Sequence, residues 1–173
     1  MTTGSVTTGS STLVHLPTSQ EVRELLEGLL GRAVEVAPCS PLASSARSPV
    51  TVASYVDDRG LPRGVCCIDL TLGAAAGAAL GLVPVRRVVA ATREGMLDPE
   101  LEENLDEVLN VCATVLNAPG ALHTRLAHVH HPGRLLPAEL HVRTLTLGRR
   151  LDLAVEVQGY GAGRLSFVLD VPR

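Results

Sequence analysis

The segment Leu101–Asn117 reads LEENLDEVLNVCATVLN and decides the fold that we expect. At about 100° per residue, a helix places five polar residues of this segment in one stripe about 80° wide. The stripe consists of Glu103, Glu107, Asn110, Thr114 and Asn117. Leucine, valine and cysteine side chains cover the opposite side, so the helix is amphipathic. Asparagine is a poor helix former, and its presence in the middle of this stripe indicates a functional role.

Local signals predict both ends of this helix. Asp98 followed by Pro99 is a typical helix start, because the aspartate can cap the helix and proline suits the first turn. Asn117 stands just before an Ala-Pro-Gly sequence that cannot continue a helix. We therefore interpret Asn117 as a helix-end residue and keep Asn110 as the functional candidate.

The chain before this helix predicts a domain that begins with another helix. Residues 1–14, rich in Thr, Ser and Gly, are expected to be a disordered tail, and residues 15–173 a single domain. Thr18 and Glu21 have the spacing of a capping box, and Gly31 is a typical helix stop. A loop rich in Pro and Ser follows.

Two β-hairpins are predicted from alternating and β-branched runs. The first joins VTVASYV (50–56) to GVCCIDL (64–70), and the second joins LDLAVEVQ (151–158) to RLSFVLDV (164–171) across a glycine-rich turn. A further strand is expected around residues 123–131, followed by a loop.

A small-residue helix is predicted after the first hairpin. Gly73, Gly77 and Gly81 are spaced four apart among alanines, which favours close packing on the sheet. The run is too short to span a membrane, and its spacing is not that of a dinucleotide fingerprint. The order of elements predicts an α+β fold, a mostly antiparallel sheet with helices packed on one face.

Composition excludes several classes of function. The formal net charge is −3, aromatic residues make up 2% of the chain and all 15 basic residues are arginine, so no nucleic-acid partner is expected. The lack of lysine excludes Schiff-base chemistry and a Walker-type phosphate loop. We expect free buried thiols, no membrane association and a cytoplasmic location.

Several histidines near the predicted strand at residues 123–131 could be metal ligands. His128 and His130 would share one face of a strand, and His123, His131 and His141 lie nearby. No acid or cysteine in this region completes a tetrahedral set, so we favour ordinary histidines near a strand end and expect no metal. No G-x-S-x-G nucleophile motif is present.

The pattern formed by Glu103, Glu107 and Asn110 resembles the signature of the CheC/CheX/FliY chemotaxis phosphatases, in which an acid, a Glu and an Asn follow each other at these spacings. The element order agrees with the resemblance over about residues 20–172. The CheX-like branch fits best, because the first helix carries glutamates but no Asn at the matching offset. Thr114 departs from the family, which commonly has glycine there.

The resemblance implies an aspartyl-phosphate phosphatase that acts on a phosphorylated CheY-like response-regulator receiver domain. Glu107 would dock onto the receiver's lysine, Asn110 would orient the attacking water and Glu103 would support them. The chain would need no cofactor of its own, because the Mg²⁺ would belong to the receiver. A homodimer is also implied.

Two alternatives stay open. One is a non-enzymatic interaction module of the same fold in two-component or chemotaxis signalling. The other, less favoured, is a small metal-binding protein that uses the histidines.

Overall fold

Five helices and one six-stranded sheet are formed by residues 13–171, the part of the chain that this computed structural model describes. The helices are α1 (Ser19–Leu30), α2 (Leu70–Leu80), α3 (Val85–Glu94), α4 (Pro99–Leu116) and α5 (Ala138–Thr144). The strands are β1 (Val34–Pro38), β2 (Val50–Asp57), β3 (Pro62–Asp69), β4 (Thr124–His130), β5 (Arg149–Val157) and β6 (Gly161–Leu169).

The sheet has the strand order β1-β5-β6-β3-β2-β4, and all neighbouring strands are antiparallel. Both predicted hairpins are present as β2–β3 and β5–β6. The short strand β1 was not predicted, because its five residues end in proline and precede a loop. It forms one edge of the sheet and β4 forms the other, so these are the edges available to the implied homodimer, which stays a prediction.

The small-residue helix α2 is the centre of the main core. It contacts the sheet on one side and α4 and α3 on the other, and nearly all of its residues are buried. A Cβ atom added at Gly77 would lie 2.7 Å from the backbone oxygen of Leu101 in α4. The predicted close approach is therefore present, and at Gly77 it is directed at a helix rather than at the sheet.

A second, smaller core covers the opposite face of the sheet. Val52, Val65 and Cys67 form part of it, with Leu136 and Leu140 packed against them. Leu140 belongs to α5, a helix that the sequence did not predict because its N-terminus has no side-chain cap. The α+β class and the antiparallel sheet are confirmed, and α5 adds one short helix to the second face.

The N-terminal signals are confirmed. Thr18 and Glu21 make both hydrogen bonds of a capping box, and Gly31 ends α1 in the left-handed conformation. Most of the predicted disordered tail, residues 1–14, lies outside the described residues. Val14, the last residue of that predicted tail, is described and buried, and the domain boundary at residue 15 stays a prediction.

All four cysteines are free thiols, and three of them are buried in the cores. Burial raises the pKa of Cys67 and of Cys112 to about 12. Cys39 is only half-buried. Between residues 13 and 171, the structure contains no helix that is both long and apolar enough to cross a bilayer.

Candidate functional site

The motif helix α4 starts and ends where its sequence predicts. The Asp98 side chain accepts hydrogen bonds from the backbone of Glu100 and Leu101, and Pro99 occupies the first turn. At the other end, the Asn117 side chain accepts from the backbone N–H of Thr124 at 2.7 Å and donates to its carbonyl at 2.8 Å. Asn117 therefore joins the end of α4 to β4, which supports its interpretation as a helix-end residue.

One side of α4 is buried and the other presents the polar stripe. The buried side consists of Leu101, Leu105, Val108, Leu109, Cys112, Ala113 and Leu116. Glu103, Glu107 and Asn110 are exposed, and their side chains have no hydrogen bond or ion pair with any of the residues from 13 to 171. Thr114 is also exposed, but its hydroxyl donates to the carbonyl of Val111. The stripe thus carries two free carboxylates and one free amide.

A buried tyrosine fixes α4 next to Asn110. The Tyr55 hydroxyl, on β2, donates a 2.7 Å hydrogen bond to the carbonyl oxygen of Leu109. Tyr55 is fully buried, and burial raises the pKa of its hydroxyl well above the ordinary value, so it stays protonated and able to donate. This bond holds the helix against the sheet at the residue before Asn110.

A loop after β4 is fastened along the flank of the stripe. Nε2 of His131 lies 2.7 Å from a carboxylate oxygen of Asp106, and Nδ1 lies 3.3 Å from the hydroxyl of Thr51. Arg134 donates to the carboxylate of Glu102 at 2.5 Å. Glu102 and Asp106 are one turn apart on α4.

These flanking contacts were not found from the sequence. Asp106 is four residues before Asn110, so its place beside the stripe could have been noticed. Its partner His131 is 25 residues away, and no local pattern predicts that pairing. Together with Tyr55 and Asn117, the pairing fixes the position and rotation of α4, which pre-organises the exposed side chains.

The negative charge of the stripe comes from the acidic side chains of α4 that have no basic partner. Glu102 and Asp106 have Arg134 and His131 as partners, whereas Glu103 and Glu107 have none in the described part of the chain. The exposed stripe is therefore acidic and suits a cationic group on a partner. An amide such as that of Asn110 can both donate to and accept from a water without taking its proton.

The described histidines are not arranged as the ligands of one metal ion. The rings of His128 and His130 are 6.4 Å apart between centroids, His123 contacts Asp58, and His131 points to Asp106. Within residues 13–171, no three His, Cys, Asp or Glu side chains are placed to hold a metal ion. The metal-binding interpretation has no support in this geometry.

Comparison with known proteins identifies the fold. No protein-family model and no curated protein matches the sequence. The FliM of a FliM–SpeE complex from H. pylori matches with a TM-score of 0.58 and 11% identity, over 88% of this chain and 82% of that chain. The FliM middle domain from H. pylori matches with a TM-score of 0.56 and 10% identity, over 88% and 85%.

A chemotaxis protein CheX from Desulfovibrio desulfuricans also matches, with a TM-score of 0.47 and 13% identity over 87% of this chain and 95% of that chain. At such low identities the likeness extends to the fold alone. The predicted α+β fold with a mostly antiparallel sheet is confirmed, and it resembles the fold of the FliM middle domain.

Proposed function

We propose that this chain is an aspartyl-phosphate phosphatase that acts on the phosphorylated receiver domain of a CheY-like response regulator. The observation that carries the proposal is the exposed, unpaired placement of Glu107 and Asn110 one turn apart on a helix that is fixed to the sheet and to the loop after β4. The side chains of Glu107 and Asn110 are therefore both accessible to a partner protein.

The reaction needs little chemistry from the protein itself. The oxygen of a water molecule attacks the phosphorus, the bond between phosphorus and the aspartate oxygen breaks, and the aspartate leaves as a carboxylate. The attacking water loses a proton to solvent or to the phosphate product. Asn110 acts by holding this water in line with the bond that breaks, since its amide can accept from the water and donate to it.

Glu107 acts as the docking residue. Its free carboxylate meets a lysine ammonium of the receiver, and this ion pair sets the distance from Asn110 to the phosphoryl group. Glu103, one turn earlier and also unpaired, adds negative charge on the same side. The Mg²⁺ that neutralises the phosphoryl oxygens belongs to the receiver.

A non-enzymatic interaction module is the second candidate. It is favoured by the similarity to FliM, because a FliM with this fold has been crystallised in a complex with SpeE. In this case the stripe of α4 would bind a partner without hydrolysis. Binding would then depend on the charges of Glu103 and Glu107 and not on the amide of Asn110.

A dephosphorylation assay tests the first proposal and separates it from the second. Candidate receiver domains from the same genome are phosphorylated with a small phosphodonor, and phosphate loss is followed with and without the protein. The wild-type chain should accelerate the loss, Asn110→Ala should not, and Glu24→Ala on the exposed face of α1 should behave as wild type. If the wild type binds a receiver without accelerating phosphate loss, and Asn110→Ala binds equally well, the interaction module is the correct function.

A further inference from the structure

A basic pocket lies at the β4 edge of the sheet, beside the loop that is fastened to α4. It has a volume of about 380 Å³ and is walled by the 44–49 loop, the end of β4 with the loop after it, and α5. Three of the six histidines of the chain line it, namely His130, His131 and His141. Arg134 and two serines complete the polar lining, and none of the lining residues is Asp or Glu.

Several hydrogen-bond donors in this pocket are unused. The half-buried rings of His130 and His141 have no hydrogen-bond partner among the residues that the structure describes. The hydroxyl oxygen of Ser45 accepts a 3.1 Å bond from the backbone of Ser48, so its hydrogen is free to donate elsewhere. A histidine ring donates from one nitrogen when neutral and from both when protonated.

The remaining polar residues shape the wall. Both ring nitrogens of His131 already have partners, Asp106 and Thr51, so this residue lines the pocket but has no free donor. One terminal nitrogen of Arg134 donates a hydrogen bond to Glu102, and the other N–H groups of its guanidinium are free. Two carboxylates of α4 face this region, and both are already paired: Glu102 with Arg134 and Asp106 with His131.

We infer that this pocket binds an oxyanion, specifically the phosphate group of a small molecule. Donors from three separate segments surround a cavity without a carboxylate lining, which suits an anion and disfavours a cation. Its volume lies within the range of small-molecule sites. The inference stands apart from the proposed phosphatase activity, because it uses none of the residues of the exposed stripe.

Calorimetric titration of the full chain with inorganic phosphate, and separately with adenosine monophosphate, tests this inference. Wild type should bind at least one of them. Equal affinity would identify the phosphate group alone as the ligand, and tighter binding of the monophosphate would identify a phosphorylated small molecule. Removal of two donors in the His130→Ala, His141→Ala double variant should weaken binding by about tenfold or more.

The matched control removes two histidines outside the pocket, in the His123→Ala, His128→Ala double variant, and should bind as wild type does. Thermal unfolding verifies that the variants are folded, and Arg134→Gln, which should also weaken binding, replaces the first variant if that one unfolds. Absence of binding by wild type up to about 10 mM of either ligand, where even a millimolar site would be occupied, would overturn the inference. An equal loss of affinity in the control variant would overturn it as well.

Discussion

Replacing Gly77 by alanine tests the packing that positions α4. The added Cβ would lie 2.7 Å from the carbonyl oxygen of Leu101, about 0.7 Å short of an ordinary 3.4 Å contact. The obstacle is backbone, so a side-chain rotation cannot relieve it and the two helices must separate. Overpacking of this kind costs about 1–3 kcal/mol, against a gain of up to about 1 kcal/mol in helix propensity. We therefore expect Gly77→Ala to lower the free energy of unfolding by up to about 2 kcal/mol.

Gly28→Ala in α1 is the matched control. Gly28 is also helical, but no atom lies within 4 Å of its added Cβ. Only the propensity gain then remains, so this variant should be more stable by about 0.5–1 kcal/mol. Urea denaturation of both variants gives the two free energies from one experiment. A Gly77→Ala protein as stable as the Gly28→Ala protein would show that α2 and α4 do not approach each other as closely as described.

Three further predictions concern the thiols, pH and the end of α4. Native protein should react with a thiol reagent at Cys39 alone, because the other three thiols are buried, and all four should react in urea. Burial raises the pKa of the Cys39 thiol too, so its reaction should be slower in the native protein than in urea. Although burial opposes it, hydrogen bonds from Leu61, Arg63 and Arg59 lower the pKa of Asp57. Its ionised form therefore stabilises the fold above the unfolded pKa of about 3.9, and this stability is lost as pH falls through the lower folded value. In Asp57→Asn, the free energy of unfolding should accordingly fall less steeply as the pH is lowered. Asn117→Ala should cost about 1–3 kcal/mol in the same denaturation assay, because Thr124 loses its partner.

The parts of the fold that could be predicted are those with local signals. The cap at Asp98, the amphipathic period of α4 and the alternating hairpin strands each depend on residues within a few positions of one another. Strand β1 and helix α5 lack such signals. Strand β1 is fixed by pairing with β5, more than a hundred residues later, and α5 by packing on the second core.

The candidate site shows the same division between local and distant information. The helical period alone places Glu103, Glu107 and Asn110 on one face. The contacts that fix this face in space are the bonds of Tyr55 to Leu109 and of His131 to Asp106, which join residues 54 and 25 positions apart. Such pairings depend on the folded sheet, and no spacing rule predicts them.

The rate of phosphate loss from a cognate receiver at saturating concentrations of this protein is the most direct test of the role of α4. Wild type should accelerate the loss, and Asn110→Ala should lower the accelerated rate roughly 100-fold while still binding the receiver, because the water is no longer held in line. Glu107→Ala should instead weaken binding. An Asn110→Ala protein that accelerates phosphate loss as fast as wild type would contradict the role assigned to this helix.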